Sequence, residues 1–174
     1  GGFREVNFPS PGPGAGPLRT VFMGTPRFAV PPLAALAATE RVTLVLCNPD
    51  RPAGRGQTVI PPPVKEEALR LGIPVYQPEK ARHPEAVNRI AAERPDLIVV
   101  AAYGHILPKS ILDIPRLMCI NVHASLLPKY RGAAPINWAL TRGETATGIT
   151  IMRMDEGMDT GPMLLVRDRP LGEE

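Results

Sequence analysis

From Leu18 onward, short apolar runs alternate with amphipathic stretches. Leu18-Arg-Thr-Val-Phe-Met23 and Val42-Thr-Leu-Val-Leu-Cys47 are β-rich and bounded by turn residues, which predicts strands. Asp96-Leu-Ile-Val-Val-Ala-Ala102 is apolar nearly throughout, the pattern of a strand buried on both faces. Pro74–Gln77 predicts a short strand, and the run Leu117–Ile120 another, ending just before Asn121. Helical spacing covers Phe28–Ala38, Val64–Leu71, Pro84–Glu93 and Ala134–Arg142, with a shorter helix near Pro108–Leu112. Pro31 and Pro32 suit the first helix only in its first turn, and Gly72 and Gly143 are placed as stops. Thr147–Met154 and Pro162–Arg167 read as two late strands, expected to be antiparallel.

This alternation implies right-handed crossovers. The expected fold class is α/β: Rossmann-like, a mostly parallel sheet flanked by helices on both faces. Ligands bind such sheets beyond the carboxyl ends of the strands, where Gly24, Tyr103, Asn121 and His123 fall. Gly1–Pro17 reads as a disordered leader, because its Pro/Gly run cannot sustain a helix or a ladder. Residues 18–174 form one domain. Asn48–Pro63 reads as a long loop.

Hydrophobic content of 44% and charge of 21% fit a globular chain. The net charge of +3 hints only weakly at an anionic partner. Cys47 and Cys119 sit inside apolar runs, so they read as buried strand thiols rather than a disulfide or a metal pair. No apolar run reaches the roughly 18 residues of a membrane span, and no secretory signal is expected. No metal site is expected either: His83 and His105 lack a ligand-spacing pattern and read as surface or loop histidines.

The candidate chemistry concentrates late in the chain. Asn121 and His123, two apart at the end of a strand, would project on one face. The 36 residues from His123 to Asp159 allow a crossover that returns a carboxylate to them. An amide, an imidazole and a carboxylate can stabilise an oxyanion and move protons in acyl transfer. The plainer alternatives are a polar pair capping a strand end and a turn aspartate before Gly161, with Asp155 a rival carboxylate.

Beyond these residues, Phe22-Met-Gly-Thr-Pro26, Asn48-Pro-Asp-Arg-Pro-Ala-Gly-Arg-Gly56, Ala101-Ala-Tyr-Gly104, Ile106-Leu-Pro108 and Asn121-Val-His-Ala-Ser-Leu-Leu-Pro-Lys-Tyr-Arg-Gly132 stand out. From about Leu18 to the end, the chain resembles the N-terminal catalytic domain of the methionyl-tRNA formyltransferases. The resemblance implies a formyltransferase fold and transfer of a formyl group from 10-formyltetrahydrofolate to the amino group of methionyl-initiator tRNA. By similarity Asn121 donates to the oxyanion, His123 is the general acid/base or a second electrostatic donor, and Asp159 orients His123 and favours its protonated form. Ser125, Leu126, Leu127 and Pro128 match the folate-contacting segment, and Ile106, Leu107 and the Met152–Asp159 loop the walls of the pterin pocket. Arg51 and Arg55, in a basic Gly-rich loop, are the expected tRNA contacts. The resemblance also implies a tRNA-gripping C-terminal barrel domain, before which this sequence stops. A monomer is expected, without a membrane, in a bacterial-type cytoplasm or an organelle matrix.

Two sibling activities share these parts: formylation of an amino-sugar nucleotide, which Asn137-Trp138 resembles, and hydrolysis of 10-formyltetrahydrofolate. A non-catalytic folate- or RNA-binding fragment is the reading from another class. The basic loop discriminates among them, because an RNA phosphate chain calls for it and a sugar nucleotide or water does not.

Overall fold

The computed structural model describes residues 4–5, 16–53, 56, 58–125, 148–154 and 163–165. In chain order the strands are β1 (Arg4–Glu5), β2 (Arg19–Gly24), β3 (Arg41–Leu46), β4 (Arg51–Ala53), β5 (Thr58–Ile60), β6 (Val75–Tyr76), β7 (Leu97–Ala101), β8 (Met118–Ser125), β9 (Gly148–Arg153) and β10 (Met163–Leu165). The helices are α1 (Val30–Thr39), α2 (Pro63–Arg70), α3 (Pro84–Ala92) and α4 (Lys109–Leu112), and a 3-10 turn over Arg27–Ala29 leads into α1.

Eight strands form one sheet in the order β1-β10-β9-β8-β7-β2-β3-β6. From β8 to β6 every neighbouring pair is parallel. β9 is antiparallel to β8, and β10 to β9, as expected of the late strands. Successive residues of the central strands face opposite layers. Phe22, Val45 and Val99 pack with Leu33 and Leu36 of α1 and Val64 and Ala68 of α2. Val21, Met23, Leu44, Ile98 and Val100 pack with Ile90 of α3 and Ile111 of α4. Both faces of β7 are therefore covered, which is why Leu97–Ala101 carries no polar residue. Each fully buried aliphatic side chain contributes about 1.5–3 kcal/mol.

The prolines take positions that helices tolerate. They occupy the first positions of α1, α2 and α3, where a missing N–H costs no hydrogen bond. Gly72 ends α2 at φ +76. Its N–H donates to Leu69 O at 3.1 Å, and the Ile73 N–H donates to Ala68 O at 2.9 Å, the paired bonds of a Schellman motif.

Three details depart from the sequence reading. The long loop after Asn48 contains a hairpin, with Arg51 opposite Ile60 and Ala53 opposite Thr58. Backbone pairing asks little of side chains on an exposed ribbon, so the Pro- and Gly-rich composition concealed it. Arg4–Glu5, inside the expected leader, pair with Leu164–Leu165 at the sheet edge, because their N–H and C=O groups precede the Pro/Gly run. β8 does not stop at Ile120 but runs on to Ser125, since β9 continues to pair with it after β7 has ended. The expected helix Ala134–Arg142 lies outside the described residues.

Candidate active-site cleft

β2 has β3 on one side and β7 on the other, so the chain reverses its direction of travel across the sheet here. Crevices open beyond the carboxyl ends of strands at such a switch point. Gly24, the last residue of β2, pairs with Ala101, the last of β7. The chain beyond β7 is held open by two residues in the left-handed region, Ala102 at φ 55 and Gly104 at φ 93. For Ala102 that conformation carries strain, a feature that clusters at ligand sites.

A cleft of about 440 Å³ opens at this point, of the size small-ligand sites have. Phe28, Val100, Ile106 and Met154 give it an apolar lining, with Ala102–His105, Asn121 and Val122 completing the wall. Asn121 is 8% exposed, and with Thr20 it is one of two buried polar or charged residues among the described ones. Its place follows from register: Asn121 opposite Val100 is the last recorded pair of β7 and β8. Asn121 therefore stands where the parallel pairing of β8 with β7 ends, inside β8 rather than at its end.

Of the other expected site residues, His123 lies two positions further along β8, with its backbone opposite Thr150, and Ser125 ends the strand opposite Gly148. Ile106 lines the cleft and is 66% exposed. Leu107 faces the other way, buried in the core with Met23, Ile98 and Ile111, and is not among the lining residues. Arg51 begins the hairpin and is exposed. Asp159, Leu126, Leu127, Pro128 and Arg55 lie outside the described residues. Met154, from the start of the expected loop, is among the residues that line the cleft.

Sequence reasoning missed His105, Asn48 and Phe28. His105 was read as an ordinary loop histidine, yet it walls the cleft, its ring centroid 4.9 Å from that of Tyr103. Its Nε2 lies 2.7 Å from Asn48 Oδ1. Burial, then Arg51 and Lys80, hold its pKa below the ordinary imidazole value. The available signal was Asn48's place directly after an apolar strand run, the same signal that marked Asn121. Burial raises the Tyr103 hydroxyl to about 12, the Cys47 thiol to about 11 and the Cys119 thiol to about 12, so all three stay protonated at neutral pH. Burial thus disfavours the reactive thiolate form of both cysteines. Among the described residues no group of three His, Cys, Asp or Glu is placed to hold a metal. No helix among them is long and apolar enough to cross a membrane.

A doubly wound sheet with a ligand-sized, mostly apolar cleft at its switch point defines a Rossmann-like α/β protein with a candidate small-ligand site. Comparison with known proteins narrows the class: the formyl transferase family model matches residues 18–172, and the chain belongs to that family. The methionyl-tRNA formyltransferase of Trichlorobacter lovleyi is 60% identical over 157 residues, covering 90% of this chain and 50% of that protein. That of Geobacter sulfurreducens is 59% identical over 158 residues, with the same coverage of 90% and 50%. The chain thus spans about half the length of the curated relatives it matches. Among solved structures, glycinamide ribonucleotide transformylase 1 from Geobacillus kaustophilus matches with a TM-score of 0.55 at 26% identity, covering 91% of this chain and 86% of that one. A formyltetrahydrofolate deformylase from Pseudomonas putida, at 22% identity and a TM-score of 0.52, covering 87% of this chain and 54% of that one, shares the fold alone.

Proposed function

We propose that this chain is the catalytic part of an enzyme that moves a formyl group from 10-formyltetrahydrofolate to the amino group of methionyl-initiator tRNA. The observation that carries this reading is the 60% identity to a methionyl-tRNA formyltransferase across 157 residues. The cleft supports it. Phe28, Val100, Ile106 and Met154 suit a flat heteroaromatic ring, and Asn121 offers an amide where the ring meets the strand ends.

The formyl donor supplies an activated carbonyl carbon bound to N10. Attack by the methionyl amine forms a new C–N bond and places negative charge on the formyl oxygen. Asn121 donates its side-chain N–H to that oxyanion, where a buried amide is worth more than in water. His123 passes the proton lost by the amine towards N10 as the old C–N bond breaks. Asp159 orients His123 and favours its charged form. Ser125, Leu126, Leu127 and Pro128, with Ile106, form the folate-contacting segments. Arg51, which begins the hairpin, and Arg55 meet the acceptor end of the tRNA. A monomer in a bacterial-type cytoplasm or organelle matrix completes the reading.

The test is formylation of methionyl-tRNA with 10-formyltetrahydrofolate by the full-length protein. Transfer that depends on both substrates is the expected result. Formate release without transfer, or formylation of an amino-sugar nucleotide in its place, would overturn it.

A further inference from the structure

Asn48, immediately beyond β3, has no part in the transfer chemistry, yet it joins four segments of the chain. Its N–H donates to Thr25 Oγ1 at 3.2 Å, in the turn after β2. Its Nδ2 donates to Tyr103 O at 3.1 Å, in the cleft wall after β7. Its Oδ1 lies 2.7 Å from His105 Nε2, in the same wall. Its carbonyl oxygen accepts from Gln77 Nε2 at 3.0 Å, after β6.

These bonds fix each other's direction. The Tyr103 carbonyl oxygen can only accept, so the amide nitrogen of Asn48 must face it. The amide oxygen then faces His105, and Nε2 of that imidazole carries the proton. The network continues into the hairpin stem. Gln77 Nε2 also donates to Asp50 Oδ1 at 2.6 Å, and Lys65 Nζ reaches the two Asp50 oxygens at 3.2 and 3.1 Å. Arg51, the next residue, opens the hairpin.

We infer that Asn48 is a positioning residue: it sets the cleft wall around His105 against the root of the basic hairpin, so that donor and acceptor meet in one fixed geometry. This rests on the function proposed above. Both the wall and the hairpin leave the sheet as irregular chain, and between them Asn48 supplies bonds that strand pairing does not. Its loss leaves the strands and their cores in place while the wall shifts. A displacement of about 1 Å can cost on the order of 10²-fold in rate.

The experiment measures kcat and KM for both substrates in the full-length protein. The variants are Asn48→Ala, Asn48→Asp, His105→Ala, His105→Gln and Asn48→Ala/His105→Ala, with the thermal midpoint followed in each. Asn48→Ala should lower kcat roughly 10- to 100-fold and raise KM for the folate donor. His105→Gln, whose amide nitrogen can stand near the position of Nε2, should restore most of what His105→Ala loses. The double variant should be little worse than Asn48→Ala, because both remove one link. Asn48→Asp, which still accepts from His105 but cannot donate to Tyr103 O, should fall between.

Three outcomes would overturn the inference: Asn48→Ala and His105→Ala both within threefold of wild type, losses that multiply in the double variant, or no recovery in His105→Gln. If Asn48→Ala does not fold, the His105→Ala and His105→Gln pair decides. If the wild-type protein formylates no methionyl-tRNA, the proposed function falls separately. The clamp is then judged on binding of 5-formyltetrahydrofolate, and an unchanged Kd in His105→Ala overturns it.

Discussion

A Cβ on Gly24 would stand 2.6 Å from the carbonyl oxygen of Ala101 and 2.9 Å from the Cβ of Ala29. Neither neighbour is the loose end of a flexible side chain. β2 and β7 therefore approach at the switch point as only glycine permits, and the 3-10 turn that carries Phe28 into the cleft closes over the same spot. Gly24→Ala should lower stability by about 1–3 kcal/mol through forced backbone displacement. At roughly 2–4 °C per kcal/mol for a chain of this size, the thermal midpoint should fall measurably. An unchanged midpoint would mean that the strands can part freely.

The second prediction concerns the oxyanion. Charge on the formyl oxygen exists only as the tetrahedral species forms, so the Asn121 amide acts in the transition state rather than in donor binding. Asn121→Ala should lower kcat by roughly 10²–10³-fold and change the Kd of the folate donor little. Steady-state kinetics alongside direct folate binding separate the two quantities. A loss in kcat below about threefold would remove Asn121 from this role.

His105 gives a pH-resolved test. The Asn48 amide requires the Nε2–H tautomer, and burial with Arg51 and Lys80 nearby lowers the pKa. In a ¹⁵N NMR titration the ring should be neutral at pH 7 with the proton on Nε2. Its midpoint should lie below that of an exposed imidazole. The folded value is depressed, so the stability linked to this group is present above the unfolded pKa and is lost as pH falls through the folded one. An Nδ1–H tautomer, or a raised midpoint, would contradict the bonding described here.

The parts of this site that could be read in the sequence are those written locally. Asn121 ends an apolar run, and a polar residue in that place has few uses in a buried parallel strand. The alternation that defined the layers was equally local, as Val21, Phe22 and Met23 show by dividing between the two cores. Asn48 and His105 were not legible, because their contact spans 57 residues and no spacing rule connects them. The hairpin escaped because Arg51–Ala53 and Thr58–Ile60 pair through backbone atoms on an exposed ribbon, where Val59 is 57% exposed and periodicity has no core to report. Leu107 shows the converse. The motif around it suggested a pocket wall, but strand-end geometry turned its side chain into the core and left Ile106 outside.

The last prediction concerns Asp96, at the entry to β7. Its Oδ2 accepts from the Arg19 N–H at 2.9 Å, and its Oδ1 accepts from Arg116 Nε at 2.8 Å. Its backbone N–H donates to Arg19 O at 2.7 Å, and its carbonyl oxygen accepts from the Leu117 N–H at 2.9 Å. One carboxylate thus ties the start of β2 to the segment that leads into β8, while β7 runs between them. The side chain is 18% exposed, so these bonds are only partly open to water. Burial alone would raise its pKa, but the bonds from Arg116 and from the Arg19 backbone outweigh that and lower it from 3.8. Because the folded value is depressed, this stability is present above the unfolded pKa and is lost as pH falls through the folded value. Asp96→Asn keeps the shape and removes the charge, and should cost about 1–2 kcal/mol at pH 7. Chemical denaturation of both proteins across a falling pH series should show the gap closing once the wild-type carboxyl is itself protonated. A gap of constant size from neutral to strongly acid conditions would mean that shape, not charge, is what Asp96 contributes.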